Sequence, residues 1–128
     1  MADAPSGRLT LGRDKRLRHR QEFARLKTQG RRLVRGCLIM NWQPNPEGAV
    51  SRLGVVTSKK IGNSVTRSRA RRLMREAFRL HQHEFLTPVD MVLVARHSIA
   101  EAGFAEVERV FLKLLSQAGI IAPASEKG

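Results

Sequence analysis

The stretch Thr57–Arg79, TSKKIGNSVTRSRARRLMREAFR, decides how the rest of the chain is read. From Lys59 to Arg75 it carries seven bases, Lys59, Lys60, Arg67, Arg69, Arg71, Arg72 and Arg75, with no acid before Glu76. Gly62-Asn63 is a pair that tolerates positive φ and so predicts a shaped turn. Beyond it, basic and apolar residues recur at helical spacing. Thr66, or else Ser64, is the expected helix cap, its hydroxyl accepting a first-turn N–H, and the helix is expected to run to about Glu84. At about 100° per residue, Ala70, Leu73, Met74, Ala77, Phe78, Leu80 and Phe85 share one side, and Arg69, Arg71, Arg72, Arg75, Glu76 and Arg79 take the rest. One side can bury against a sheet while the other offers guanidinium groups to solvent or to phosphate. Arginines crowded into the first turns oppose the helix dipole and repel one another. A solvated charged face is the plain reading; a polyanion lying across the arginines explains their placement better.

Upstream of this helix, Ala49–Thr57 reads as a strand and Leu33–Trp42 as another, continuous or broken at Arg35-Gly36. The turn-rich QPNPEG, residues 43–48, joins them, which predicts an antiparallel pair. Trp42 is then a partly buried strand-end residue or a stacking residue, and Arg52 a solvated strand residue or a nucleic-acid contact. Downstream, Pro88 precedes VDMVLVAR, whose nearly continuous apolar character fits the covered centre of a sheet; Asp90 reads as a strand-start residue. Ala102 to about Gln117 is the last helix, with Phe104, Val107, Phe111, Leu114, Leu115 and Ala118 at helical spacing and Gly119 as its stop. Its surface mixes Glu101, Glu106 and Glu108 with Arg109 and Lys113, so this helix supports the fold and the earlier segments meet the polyanion.

The 128 residues suffice for one core. Residues 1–12, rich in Ala, Pro, Gly and Ser, are expected to form a flexible tail, residues 13–119 a single α/β domain, and residues 120–128 a second flexible tail. Between Arg13 and Arg35 stand ten Lys or Arg against Asp14 and Glu22. His19 to about Thr28 can form a short helix ended by Gly30, with Phe23 and Leu26 on one side. Phe23 is either a core anchor or a platform for an unstacked base. The formal charge of +13 and pI near 11.6 call for a polyanionic partner, most simply nucleic acid. A membrane surface is the competing polyanion, but no apolar run has the length of a spanning helix and the N-terminus lacks the apolar core of a secretion signal. A cytoplasmic protein is expected. The single Cys37 cannot form an intramolecular disulfide and reads as a buried thiol. His81 and His83, at i and i+2, lie on different helical faces, which argues against a zinc site with Glu84.

The order and spacing of Arg52, Gly54, Ser58, Lys59, Lys60, Gly62, Asn63, Val65, Arg67, Arg69, Arg71, Arg72, Arg75 and Glu76 closely resemble the signature of the protein subunit of bacterial ribonuclease P. Ser64 stands where that family usually has alanine, and Ser68 replaces the asparagine between two arginines, removing an amide that could bond RNA or cap the turn. The resemblance covers roughly Arg13–Gly119, tightly at the centre. It implies an α+β fold: a two-layer α/β sandwich with an about four-stranded mixed sheet, a basic central helix, a C-terminal helix and a left-handed crossover, where sheet physics alone expects a right-handed one. It also implies a division of labour. A catalytic RNA, using bound Mg²⁺ held mainly by that RNA and its substrate, removes the 5′ leader from precursor tRNA, and the protein binds both RNAs with no organic cofactor and no stable protein partner. Lys59, Lys60, Asn63, Arg67, Arg69, Arg72 and Arg75 are then assigned to the catalytic RNA. Phe23, Lys27, Arg52 and Arg96 are assigned to the leader. Lys27 occupies what looks like the place of a second aromatic in the family, which trades stacking for charge.

Protein-only nuclease sites need clustered carboxylates or histidines. The basic segments hold only Asp14, Glu22 and Glu76, scattered among arginines, so no catalytic or metal-ligating residue is assigned. A ribosomal or general structured-RNA-binding protein is the first alternative, and a DNA-binding helix module the second; net charge alone does not separate them.

Overall fold

The computed structural model describes residues 16–17, 20–45 and 50–122. Its elements are α1 (Arg20–Gln29), β1 (Arg31–Arg35), β2 (Leu38–Pro44), β3 (Arg52–Val56), α2 (Ser64–His81), β4 (Val89–Ala95) and α3 (Phe104–Ala118). The strands form one mixed sheet in the order β1-β2-β4-β3. The apolar segment 33–42 is broken at Gly36, whose φ of +52° turns β1 back onto β2.

The expected pairing of β2 with β3 is not formed. β4 lies between them, antiparallel to β2 and parallel to β3. Two physical causes select this arrangement. Nearly every side chain of β4 is apolar or buried, so the strand belongs in the interior of the sheet. The parallel register also sets Arg52 directly opposite Asp90, pairing opposite charges across the two strands.

Strand alternation sorts the sheet into two faces. Leu38, Met40, Trp42, Leu53, Met91, Leu93 and Ala95 pack with Ala70, Met74, Ala77 and Phe78 of α2 and Val107, Phe111, Leu114 and Leu115 of α3 in the main core. Full burial of one large apolar side chain here is worth about 1.5–3 kcal/mol. Trp42, expected at a partly buried edge, is instead deep in this core because β2 is an interior strand. On the opposite face Leu26 and Phe23 of α1 pack with Leu17, Val56, Val92 and Val94 in a smaller cluster, so α1 partly covers the sheet from the other side. Leu17 N–H also donates to the Leu53 carbonyl at 2.9 Å, continuing the sheet past β3.

Packing continues beyond Gly119, which caps α3 at φ +78°. Ile120 and Ile121 are buried, and Leu86 N–H donates to the Ile120 carbonyl at 2.8 Å. Ile120 and Ile121 therefore belong to the packed fold and not to the expected tail 120–128; residues 123–128, and the tail expected at residues 1–12, lie outside the described residues.

Candidate nucleic-acid interface

The basic segment is built from a 3₁₀ turn, Lys59–Ile61, running into α2. Ser58 Oγ accepts the Lys60 N–H at 3.3 Å while Ile61 anchors the turn in the core, which leaves Lys59 and Lys60 exposed. Gly62 follows at φ +150°, where a Cβ would meet the Thr66 side chain at 3.0 Å. The cap of α2 is neither Thr66 nor Ser64. Asn63 Oδ1 accepts the Thr66 N–H at 2.9 Å, since its extended backbone aims the short amide back at the first turn. Asn63 thus spends its carbonyl on the helix and keeps its NH₂ for another acceptor.

Along α2 the arginines divide. Arg69 donates to the Ala102 carbonyl at 2.7 Å, tying α2 to the segment before α3, and Arg71 donates to Thr57 Oγ1 at 2.8 Å and Ser68 Oγ at 3.1 Å. Arg79 is paired with Glu76, which holds that carboxyl below its usual range. Arg67 has a buried Nε with no hydrogen-bond partner. Arg72 is exposed. Burial lowers the Arg75 pKa, and the charges of Arg16 and Arg71 lower it further. Among the described residues no carboxylate lies within ion-pair distance of Lys59, Lys60, Arg67, Arg69, Arg71, Arg72 or Arg75. Seven cations repelling one another with no counter-charge among the described residues form a surface complementary to closely spaced anions.

The second cationic region surrounds α1. Phe23, Lys27, Arg32, Ile39, Asn41, Val56, Val92 and Val94 line an open groove of about 460 Å³. The Phe23 ring lies against Gly54, where a Cβ would come within 2.5 Å of Cζ, so the glycine lets the ring sit down on β3. Phe23 packs in the smaller cluster, as the core-anchor alternative expects, and its side chain also lines the groove. Arg96, exposed just past β4, donates to the Gly36 carbonyl at 3.0 Å. Arg52 sits differently. Its Nε and Nη2 donate to Asp90 at 3.0 and 2.9 Å and its Nη1 to Glu22 at 3.0 Å; the hydrogen bonds to Asp90 raise its pKa.

Sequence reasoning missed two residues here. Asp90 is a buried carboxylate that also accepts from Arg25 at 2.9 Å and from Asn45 at 3.3 Å, far more than a strand-start residue. Asn41 is a buried amide on the groove floor. Strand alternation could have pointed to both, because each is a polar residue flanked on both sides by apolar ones in its strand.

The remaining chemistry-bearing groups are committed elsewhere. Burial pushes the Cys37 thiol up, opposing thiolate formation. His81 is held by Glu84 through Nδ1 and by Glu108 through Nε2, both at 2.7 Å, bridging α2 to α3. Glu22 and Glu76 face arginines and Asp90 accepts four hydrogen bonds from Arg25, Asn45 and Arg52, so this donor set does not suit a Mg²⁺ ion. Among the described residues no group of three His, Cys, Asp or Glu side chains is placed to hold a metal. No described helix is long and apolar enough to cross a membrane.

The ribonuclease P family model matches residues 11–119. This chain belongs to the ribonuclease P protein family. The ribonuclease P protein component of Desulfatibacillum aliphaticivorans is 39% identical over 95 residues, covering 74% of this chain and 80% of the relative. That of Roseiflexus sp. strain RS-1 is 37% identical over 114 residues, covering 88% and 92%. Among solved structures, the Thermotoga maritima ribonuclease P protein aligns at TM-score 0.72 with 27% identity, over 80% of this chain and 96% of that one. The Staphylococcus aureus protein aligns at 0.77 with 24% identity, over 84% and 97%, a likeness of fold. Membership makes the chain the accessory protein of a ribonucleoprotein endonuclease, in keeping with a site rich in cations and poor in carboxylates.

Proposed function

We propose that the chain assembles with the catalytic RNA of ribonuclease P through α2 and the preceding 3₁₀ turn, and receives the 5′ leader of precursor tRNA in the groove beneath α1. The observation that carries this reading is the row of cations from Lys59 to Arg75 with no carboxylate counter-charge among the described residues. Lys59, Lys60, Asn63, Arg67, Arg69, Arg72 and Arg75 form the RNA surface. Phe23 supplies a ring face for a leader base, and Lys27 and Arg96 supply charge for leader phosphates. The protein adds no nucleophile: it screens phosphate repulsion so that the two RNAs approach and Mg²⁺ binds in the RNA, where the cleavage chemistry lies. The reading places the chain in the cytoplasm, with the RNAs it serves.

A time course at matched ionic strength tests this with protein alone, catalytic RNA alone, and the mixture acting on precursor tRNA. Protein alone leaves the substrate intact, and the mixture cleaves accurately at a lower Mg²⁺ or higher salt concentration than RNA alone. Site-specific cutting by rigorously RNA-free protein refutes it. Footprinting that shows α2 touching only the leader, with no contact to the catalytic RNA, refutes the allocation of surfaces.

A further inference from the structure

Asp90 lies in the row Asp90, Val92, Val94 along the groove face of β4, and Arg52 in the row Arg52, Gly54, Val56 along β3. The ionic cluster therefore abuts one end of the groove floor. At the other end the same two strands continue into Thr57–Lys60 and Arg96, where the cations are exposed. The groove thus has a neutralised end and a cationic end. At the neutralised end, two guanidinium groups converge on one carboxylate that is 3% exposed, and a third contact runs from Arg52 to Glu22. Glu22 and Arg25 both belong to α1, on either side of Phe23. The cluster consequently ties α1 to β3 and β4 beside the point where the Phe23 ring rests on Gly54.

We propose that Asp90 is the positioning residue of the groove: it withholds Arg52 and Arg25 from RNA and uses them to hold α1, and with it Phe23 and Lys27, at a fixed height over the sheet. Arg52 then serves the leader by placing the groove wall, a different role from the direct contact expected from sequence. This inference rests on the groove being the leader site. Two consequences separate positioning from mere support of the fold. The loss on weakening the cluster falls on substrates whose leader fills the groove and leaves assembly through α2, on the other face of the sheet, untouched. Removing the carboxylate's charge also frees cations that can then reach phosphate, so leader binding becomes more dependent on salt while it becomes weaker.

The experiment uses holoenzyme reconstituted from the full chain and its catalytic RNA, acting on precursor tRNAs with a long leader or a leader trimmed to one nucleotide. Asp90→Asn and Arg25→Gln each lower the long-over-short ratio of kcat/KM by about tenfold, through KM, as expected for a misplaced binding wall. The kcat at saturation and the affinity for catalytic RNA stay within about twofold. Asp90→Asn additionally steepens the salt dependence of long-leader binding by about one log–log unit. Arg25 is 38% exposed on a surface helix, so its variant reports even where Asp90→Asn does not fold. Folded variants that keep the full long-over-short ratio, or that lose it in parallel with affinity for the catalytic RNA, overturn the proposal. Wild-type holoenzyme with no gain from a long leader refutes the groove as leader site instead, and is recognised before any variant is made.

Discussion

The two cationic regions are made of the same residue types and differ in where their carboxylates lie. On α2, no carboxylate among the described residues lies within ion-pair distance of Arg67, Arg69, Arg71, Arg72 or Arg75, which leaves their charge to an anionic partner in the reading proposed above. Around α1, Asp90 and Glu22 occupy Arg52 and Arg25, and the arginines become part of the fold. An arginine count therefore says little about an RNA surface. What decides is whether the fold supplies the counter-charge or leaves that to the partner.

The largest effect expected from breaking this contrast is on assembly. Replacing Arg67, Arg69 and Arg72 together by Ala lowers affinity for the catalytic RNA by about 100-fold or more at moderate salt. It also flattens the log–log salt dependence by about 0.7–0.9 for each phosphate that is no longer neutralised, measured by a binding titration across salt concentrations. Stability sorts the two regions the opposite way. Asp90→Ala removes the carboxylate shared by the part-exposed Arg25 and Arg52, leaving Arg52 only Glu22, and costs about 1–3 kcal/mol in denaturant unfolding, whereas Arg72→Ala at an exposed site changes unfolding by no more than about 0.5 kcal/mol. Equal costs would erase the distinction drawn above. Phe23→Ala comes next: removing the ring proposed to stack a leader base is expected to cost about 1–3 kcal/mol of substrate binding. That weakening is confined to precursor tRNA with a leader, and equal weakening of mature tRNA counts against it.

The smallest effect concerns pH. Burial disfavours the charged His81 ring, but hydrogen bonds to Glu108 and Glu84 outweigh it and raise its pKa above 6.5. A group held more basic in the folded state stabilises the fold fully below its unfolded pKa, and the contribution is lost as pH rises through the raised folded value. Wild type should therefore exceed His81→Gln in melting temperature most clearly near pH 6, with the gap narrowing above about pH 6.5. An unchanging gap shows that the α2–α3 bridge works without the imidazolium charge.

Much of the fold was legible because periodicity is local. The α2 arginine face, the α3 stripe, the apolar β4 and the Gly119 stop are all set by residues within a few positions of one another. Strand order was not, since nothing local in residues 33–57 announces that β4 separates β2 from β3. The cap went to Asn63 because hydroxyl and amide oxygens compete over a span of three residues, and backbone direction, invisible in sequence, settles it. Within the site, the cations of α2 were readable as a run. The engagement of Arg52 was not readable: its partners Asp90 and Glu22 lie 38 and 30 residues away, beyond what the run of letters shows.

The interior place of β4 also has a kinetic consequence. Neither β2 nor β3 can complete its edge against the sheet until residues 89–95 have been made, because each bonds β4 and not the other. A chain emerging in order presents β1 and β2 as a two-stranded hairpin, then a highly basic helix whose apolar side has no finished surface to cover. Isolated hairpins of two strands are marginal in water. The rate-limiting event is therefore expected to be the docking of residues 89–95 into the slot between β2 and β3. Substitutions there, such as Leu93→Ala, should slow folding, while those in α1, which closes over a finished sheet, should chiefly speed unfolding.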